Sequence, residues 1–126
     1  AHRAEVDRHV LAMESDNGVF TPRGIRFGTG AGGAAVVQMI ATLLRPIAAD
    51  SAAPGGPEAD IGPLYALGVP VITLDTEGSR YFWYQHSEAD MIDKLDPVDI
   101  AKNAAILAVV ANTVANMDGT LPRVVR

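Results

Sequence analysis

His9-Val10-Leu11-Ala12-Met13-Glu14-Ser15-Asp16-Asn17-Gly18 is the stretch on which the fold turns. Val10 to Met13 form an unbroken apolar run, as expected of a strand buried on both faces of a parallel sheet, and Asn17-Gly18 stop it with turn chemistry. Asp16 therefore stands where a buried strand ends. In open α/β sheets ligands bind in the crevice outside those carboxyl ends, which makes an acid there a site candidate. A turn acid that only bonds neighbouring backbone is the competing reading, and at this point both stay open.

Apolar residues from Val36 to Ile47 recur with helical period, so a helix is expected over Gly33 to Ala49, perturbed by Pro46. Ala49 to Gly56 reads as turn, and Ala59 to Leu67 as a short helix closed by Gly68. Val69 to Leu74 repeats the buried-strand pattern, with Asp75 at its end. Two strands joined through helices should run parallel by a right-handed crossover, with both carboxyl ends on one edge. The loop from Asp75 to Asp96 then faces the turn at Asp16. That loop holds His86 within Tyr81-Phe82-Trp83-Tyr84-Gln85-His86, an aromatic cluster expected to be packed.

The last helix has the clearest ends. Asp96 can cap it, Pro97 fits its first position, Asp99 lies near the positive end of the helix dipole, and Gly119 closes it after about Met117. Ile100, Ala104, Leu107, Ala111 and Val114 are expected to form its buried face, with other elements covering the far side too. Ala1 to Arg8 reads as a frayed lead-in, and a first residue other than Met suggests an excised or processed piece. Gly28, Gly30 and Gly33 match G-x-G-x-x-G, but Ile25-Arg26-Phe27 is too short and polar to be the buried strand that a dinucleotide turn requires, so that reading is rejected.

A chain of 126 residues with 48% apolar composition suits one small domain or part of one. Its net charge of -5, without a basic cluster, argues against nucleic acid and acidic membrane surfaces as partners. No apolar stretch is expected to reach the roughly 18 residues of a membrane span. With no Cys, any metal must be held by His, Asp and Glu. Topology brings Asp16 and His86 to one edge, and a carboxylate with an imidazole is a sound zinc pair; a structural His in an aromatic loop is the competing reading. No Ser is framed by a nucleophile elbow.

Met13 to Pro22, then Gly68-Val69-Pro70, then Tyr81 to Ser87 with Asp90, then Asp96-Pro97 and Leu121-Pro122-Arg123 resemble the carboxypeptidase Q-like two-zinc exopeptidases, over nearly the whole chain and in order. The resemblance implies an α/β fold, part of a three-layer aminopeptidase-like zinc-exopeptidase architecture with a parallel or mixed sheet flanked by helices. It assigns Asp16 as terminal ligand of one zinc and His86 of the other, places Asp60 near the substrate pocket, and makes Asp90 an acceptor supporting the region of His86. Gln85 and Met91 depart from the family's common His and Thr, which affects substrate preference.

The family's bridging Asp, a further His and a Glu pair that includes the general base precede the matched region. No catalytic residue is therefore assigned within this chain. His2 and His9 lie before the strand and cannot replace those ligands, and Glu14 should lie about 6 to 7 Å back along the strand from Asp16. The chain is expected to be the C-terminal portion of a zinc peptidase domain, residues 1–126, inactive alone, from an enzyme acting on small peptides. Export to a periplasmic or secreted location and a homodimer follow from the same resemblance. The alternative is a noncatalytic binding domain that keeps the fold.

Overall fold

In the structure, a computed structural model describing residues 3–125, four strands form one mixed sheet in the order β1-β4-β2-β3. These are β1 (Ala12–Glu14), β2 (Pro22–Gly28), β3 (Ser51–Pro54) and β4 (Val71–Thr76). β1 and β4 run parallel, with Ala12 opposite Val71 and Glu14 opposite Thr73, so both deliver their following loops to the same edge. β2 pairs antiparallel with β4 and parallel with β3.

Three strands depart from expectation. β1 is not a run from Val10 to Met13 buried on both faces: it starts only at Ala12, lies at the edge of the sheet with one paired neighbour among the described residues, and leaves Val10 exposed and Met13 and Glu14 half-buried. β2 spans seven residues rather than a brief extension at Ile25–Phe27. Its arginines are the reason it reads as polar: Arg26 faces away from the buried Ile25 and Phe27 on either side of it, and Arg23 is exposed where the pairing with β4 slips by one residue between Pro22 and Gly24. β3 occupies the stretch expected to be turn; it is an edge strand, where Pro54 needs no second bonding partner.

The helices are α1 (Gly33–Thr42), α2 (Gly62–Ala66), α3 (Tyr81–Tyr84) and α4 (Pro97–Asn116). α1 ends earlier than Ala49, because the chain goes on into a 3-10 turn over Arg45–Ile47 that accommodates Pro46, and Ala48 then adopts a left-handed φ of 56°. α4 begins as its sequence dictates, with the Asp96 carboxylate accepting the Val98 N–H at 2.7 Å. Its buried stripe is Asn103, Ile106, Val110 and Val114, offset from the one expected; Ala104 and Ala111 are exposed, and no other element among the described residues covers the far side. α4 is also long and apolar enough by composition to cross a membrane, contrary to the expectation that no segment would be, yet its buried stripe packs on the sheet.

Alternation along the strands sends side chains to two cores. Ile25, Phe27, Ile72 and Leu74 pack with Val37, Ile40 and Leu44 of the α1 region and with Ile106, Val110 and Val114 of α4. Ala12 and Val71 pack with Val6, Ile61 and Val69, supported by Leu64 and Tyr65 of α2. Helices thus flank a mixed α/β sheet. The segment Arg3–Arg8 is not frayed: it forms a 3-10 turn with Val6 buried, and Arg123 donates to the carbonyls of His9 at 3.1 Å and Val6 at 3.4 Å. His2 lies outside the described residues.

The same C-terminal segment explains the glycine pattern. Contrary to expectation a full strand, β2, does precede the glycines, so a dinucleotide turn is not excluded by want of one. However, the Gly30 N–H donates to the Pro122 carbonyl at 2.8 Å, and a Cβ on Gly30 would stand 2.0 Å from the Arg123 carbonyl oxygen. Gly30 admits the chain's own backbone where a pyrophosphate would have to approach.

A candidate metal centre beside the β1 and β4 loops

β1 ends at Glu14, and Ser15 to Gly18 turn away from the sheet with Gly18 at a φ of 76°. The Thr76 hydroxyl at the end of β4 donates to the Asn17 carbonyl at 3.3 Å, tying the two loops. α3 follows β4 and leads to His86, a non-glycine residue held at a left-handed φ of 56°. Such backbone strain in a side chain with ligand chemistry concentrates at functional sites.

Asp16, His86 and Asp90 line one cavity of about 280 Å³, walled by Phe20, Tyr81 and Tyr84. Topology does bring the first two together. Among the described residues, no hydrogen-bond donor engages the Asp16 carboxylate and no partner engages the His86 ring. Asp60 is placed differently: its side chain is exposed, it lines neither this cavity nor the neighbouring one, and its N–H donates to Glu14. The aromatic loop is only partly packed. Phe20 and Tyr84 rings lie 6.3 Å apart, whereas Phe82 and Trp83 are 83% and 67% exposed.

Two further carboxylates link the loops of the site: Glu14, expected to lie too far back along the strand, and Glu58, which the sequence did not single out. Glu14 accepts the N–H groups of Asp60 at 2.9 Å and Ile61 at 3.2 Å. In return, Glu58 accepts the N–H of Asp16 at 2.9 Å and the side-chain amide of Asn17. One ligand atom from each of Glu14, Asp16 and Glu58 lies within 4.8 Å of the others. An oxygen of Glu14 and one of Asp16 thus approach more closely than the 6 to 7 Å expected along a strand. Both oxygens of Glu14 and of Glu58 are already acceptors, which leaves Asp16 as the least engaged of the three. In sequence, Glu58 looked like any acid of a Gly-Pro-rich turn; only its docking on the end of β1 reveals it.

Burial pushes the Glu58 carboxyl up, and the neighbouring Glu14 and Asp16 charges add to that, against the two hydrogen bonds it accepts. Burial, then the carboxylates of Asp16, Glu58 and Asp90, push the Tyr81 phenol up, which keeps it a neutral O–H donor at the cavity wall. Tyr81 also lines an adjoining cavity of about 380 Å³ with Asn17, Arg26, Glu58 and Asp75. There Arg26 pairs with Asp75 at 3.3 Å.

Carboxylate oxygen and imidazole nitrogen are the donor types zinc takes in sites without thiolates. Asp16 and His86 fit that requirement, as unengaged side chains converging on a cavity that is partly aromatic and ringed by acids.

No family model matches the chain. It is 34% identical to carboxypeptidase Q of Mus musculus over 122 residues, and 36% identical to carboxypeptidase Q of Bos taurus over 123. Each match covers 97% of this chain and 26% of the relative, so the chain spans about a quarter of the length of those proteins. The crystal structure of a peptidase M28 precursor from Shewanella amazonensis SB2B superposes with a TM-score of 0.90 at 31% identity, covering 99% of this chain and 28% of that one. By sequence the chain is thus similar to carboxypeptidase Q along nearly all its length, and by structure it has the α/β architecture of part of a peptidase M28 domain.

Proposed function

We propose that this chain is the C-terminal portion of a zinc exopeptidase domain, in which Asp16 holds one zinc and His86 its neighbour during hydrolysis of small peptides. The observation that carries this reading is that Asp16 and His86 line the same cavity, the Asp16 carboxylate and the His86 ring each free of hydrogen-bond partners among the described residues. When bound, zinc polarises a peptide carbonyl and acidifies water. The residues of this chain do the rest of what can be assigned here. Asp16 and His86 supply donor atoms from two loops fixed by β1 and β4. Tyr81, kept protonated, offers an O–H at the wall shared by both cavities. Asp90 adds negative charge on the His86 side. Asp60 acts through its backbone N–H on Glu14, and a direct contact with substrate would need its exposed side chain to be covered by chain outside these residues.

The likeness also supports a further Glu as general base and a bridging carboxylate, supplied from outside this segment, together with export and self-association of the whole protein. The test assays residues 1–126 and the full-length protein against a dipeptide panel with added zinc. The full-length protein should release amino acids in a zinc-dependent way, lost on Asp16→Ala or His86→Ala, and residues 1–126 alone should release none. Turnover by residues 1–126 would show that this chain completes the site itself. Full activity in both variants, or no zinc-dependent hydrolysis by the full-length protein, would overturn the proposal in favour of a binding domain.

A further inference from the structure

The loops carrying Asp16 and Glu58 hold one another by reciprocal carboxylate bonds. Glu14, at the end of β1, takes the N–H groups of Asp60 and Ile61 at 2.9 and 3.2 Å. Glu58, two residues before Asp60, reaches back to the Asp16 N–H at 2.9 Å and to the Asn17 amide. The turn bearing Asp16 is otherwise lightly held: Asp16 itself is exposed, and the Thr76 bond to the Asn17 carbonyl is long at 3.3 Å. A single carboxylate thus fixes the backbone from which the Asp16 side chain departs.

We propose that Glu58 is a positioning residue for Asp16, aiming its carboxylate into the Asp16–His86 cavity by holding the Asp16 N–H and the Asn17 amide. The proposal rests on the reading of Asp16 as a zinc ligand. Glu58 does not need to touch metal in this role. Its two oxygens are already committed to the turn, and the turn sets the direction in which Asp16 points. Residues that orient a ligand in this way typically change metal affinity by about 10- to 100-fold when altered.

Position and charge can be separated by two conservative variants of the full-length protein. Glu58→Asp keeps the charge but withdraws the carboxylate by one methylene, out of reach of the turn. Glu58→Gln keeps the reach and an acceptor for the Asp16 N–H, while Asn17 can rotate its amide to meet the new one. Zinc affinity is measured by competition with a chelator, and the Co²⁺-loaded protein by its visible spectrum, beside Asp16→Ala as reference; circular dichroism confirms folding of each. Glu58→Asp should bind zinc about tenfold more weakly with an altered Co²⁺ spectrum, and Glu58→Gln should stay within about threefold of the parent with an unchanged spectrum. The reverse pattern, weak binding in Glu58→Gln and normal binding in Glu58→Asp, would make Glu58 a charge or ligand in its own right and overturn the positioning role. Normal affinity in both, with Asp16→Ala weakened, would overturn it as well while leaving Asp16 a ligand. Normal affinity in Asp16→Ala would instead remove the ligand reading beneath it.

Discussion

Asn103, buried on α4, donates from Nδ2 to the Phe20 carbonyl at 2.8 Å and so anchors the wall of the Asp16–His86 cavity to the longest helix. The Thr21 hydroxyl adds a second tie, donating to Asp99 at 2.8 Å. Asn103→Ala leaves the Phe20 carbonyl without this donor, and an unmet buried acceptor costs about 1 to 3 kcal/mol. Urea unfolding should show a loss of that size with an unchanged m-value. A loss under about 0.5 kcal/mol would mean that the contact does not anchor the wall.

His86 carries a left-handed backbone that an L-residue adopts only at a cost of about 1 to 2 kcal/mol, which glycine avoids. His86→Gly and His86→Ala both delete the imidazole, and only Ala keeps the strain. Metal-free His86→Gly should therefore be more stable than His86→Ala by about 1 kcal/mol in thermal unfolding. Equal stability would show that the strain is not stored there.

Gly30 stands where a Cβ would meet the Arg123 carbonyl oxygen at 2.0 Å. Gly30→Ala must push the C-terminal segment away from β2, breaking the Pro122 bond to the Gly30 N–H and loosening the Arg123 ties to His9 and Val6. Such overpacking should cost about 3 kcal/mol. Hydrogen exchange at the Gly30 amide that stays as slow as in the parent would contradict this packing role.

Glu77 opens the loop that leads to α3 and His86. The Ser79 backbone N–H and then its hydroxyl hold the Glu77 carboxyl below its ordinary value of 4.5, helped by Arg23. A carboxyl depressed in the folded state stabilises fully above its unfolded value and loses that contribution as pH falls through the folded one. The NMR titration midpoint of Glu77 should lie below 4.5 and rise in Ser79→Ala. A midpoint unmoved by that substitution would show that the turn bonds do not set it.

Much of this architecture is legible locally. The apolar run of β4, the turn after β1 and the Asp96 cap of α4 are written in residues adjacent in sequence, and the right-handed crossover rule adds the parallel pairing of β1 with β4, which brings Asp16 and His86 to one cavity. β2 is not legible that way. Ile25 and Phe27 count as core only once Arg26 finds Thr73 across β4 and Asp75 at its tip, a pairing between distant segments. β3 has no local pattern of its own and exists because β2 offers it an edge. Glu58 was invisible for the same reason, since its function lies entirely in a turn it meets through space.

If Asp16 and His86 are zinc ligands of one site, the metal positions themselves will show it. Anomalous scattering at the zinc absorption edge, from crystals of the full-length protein grown with zinc, tests it directly. Neighbouring zinc peaks are expected, one about 2 Å from an Asp16 carboxylate oxygen and the other about 2 Å from a His86 ring nitrogen. Zinc held elsewhere, with neither side chain in its coordination sphere, would contradict it.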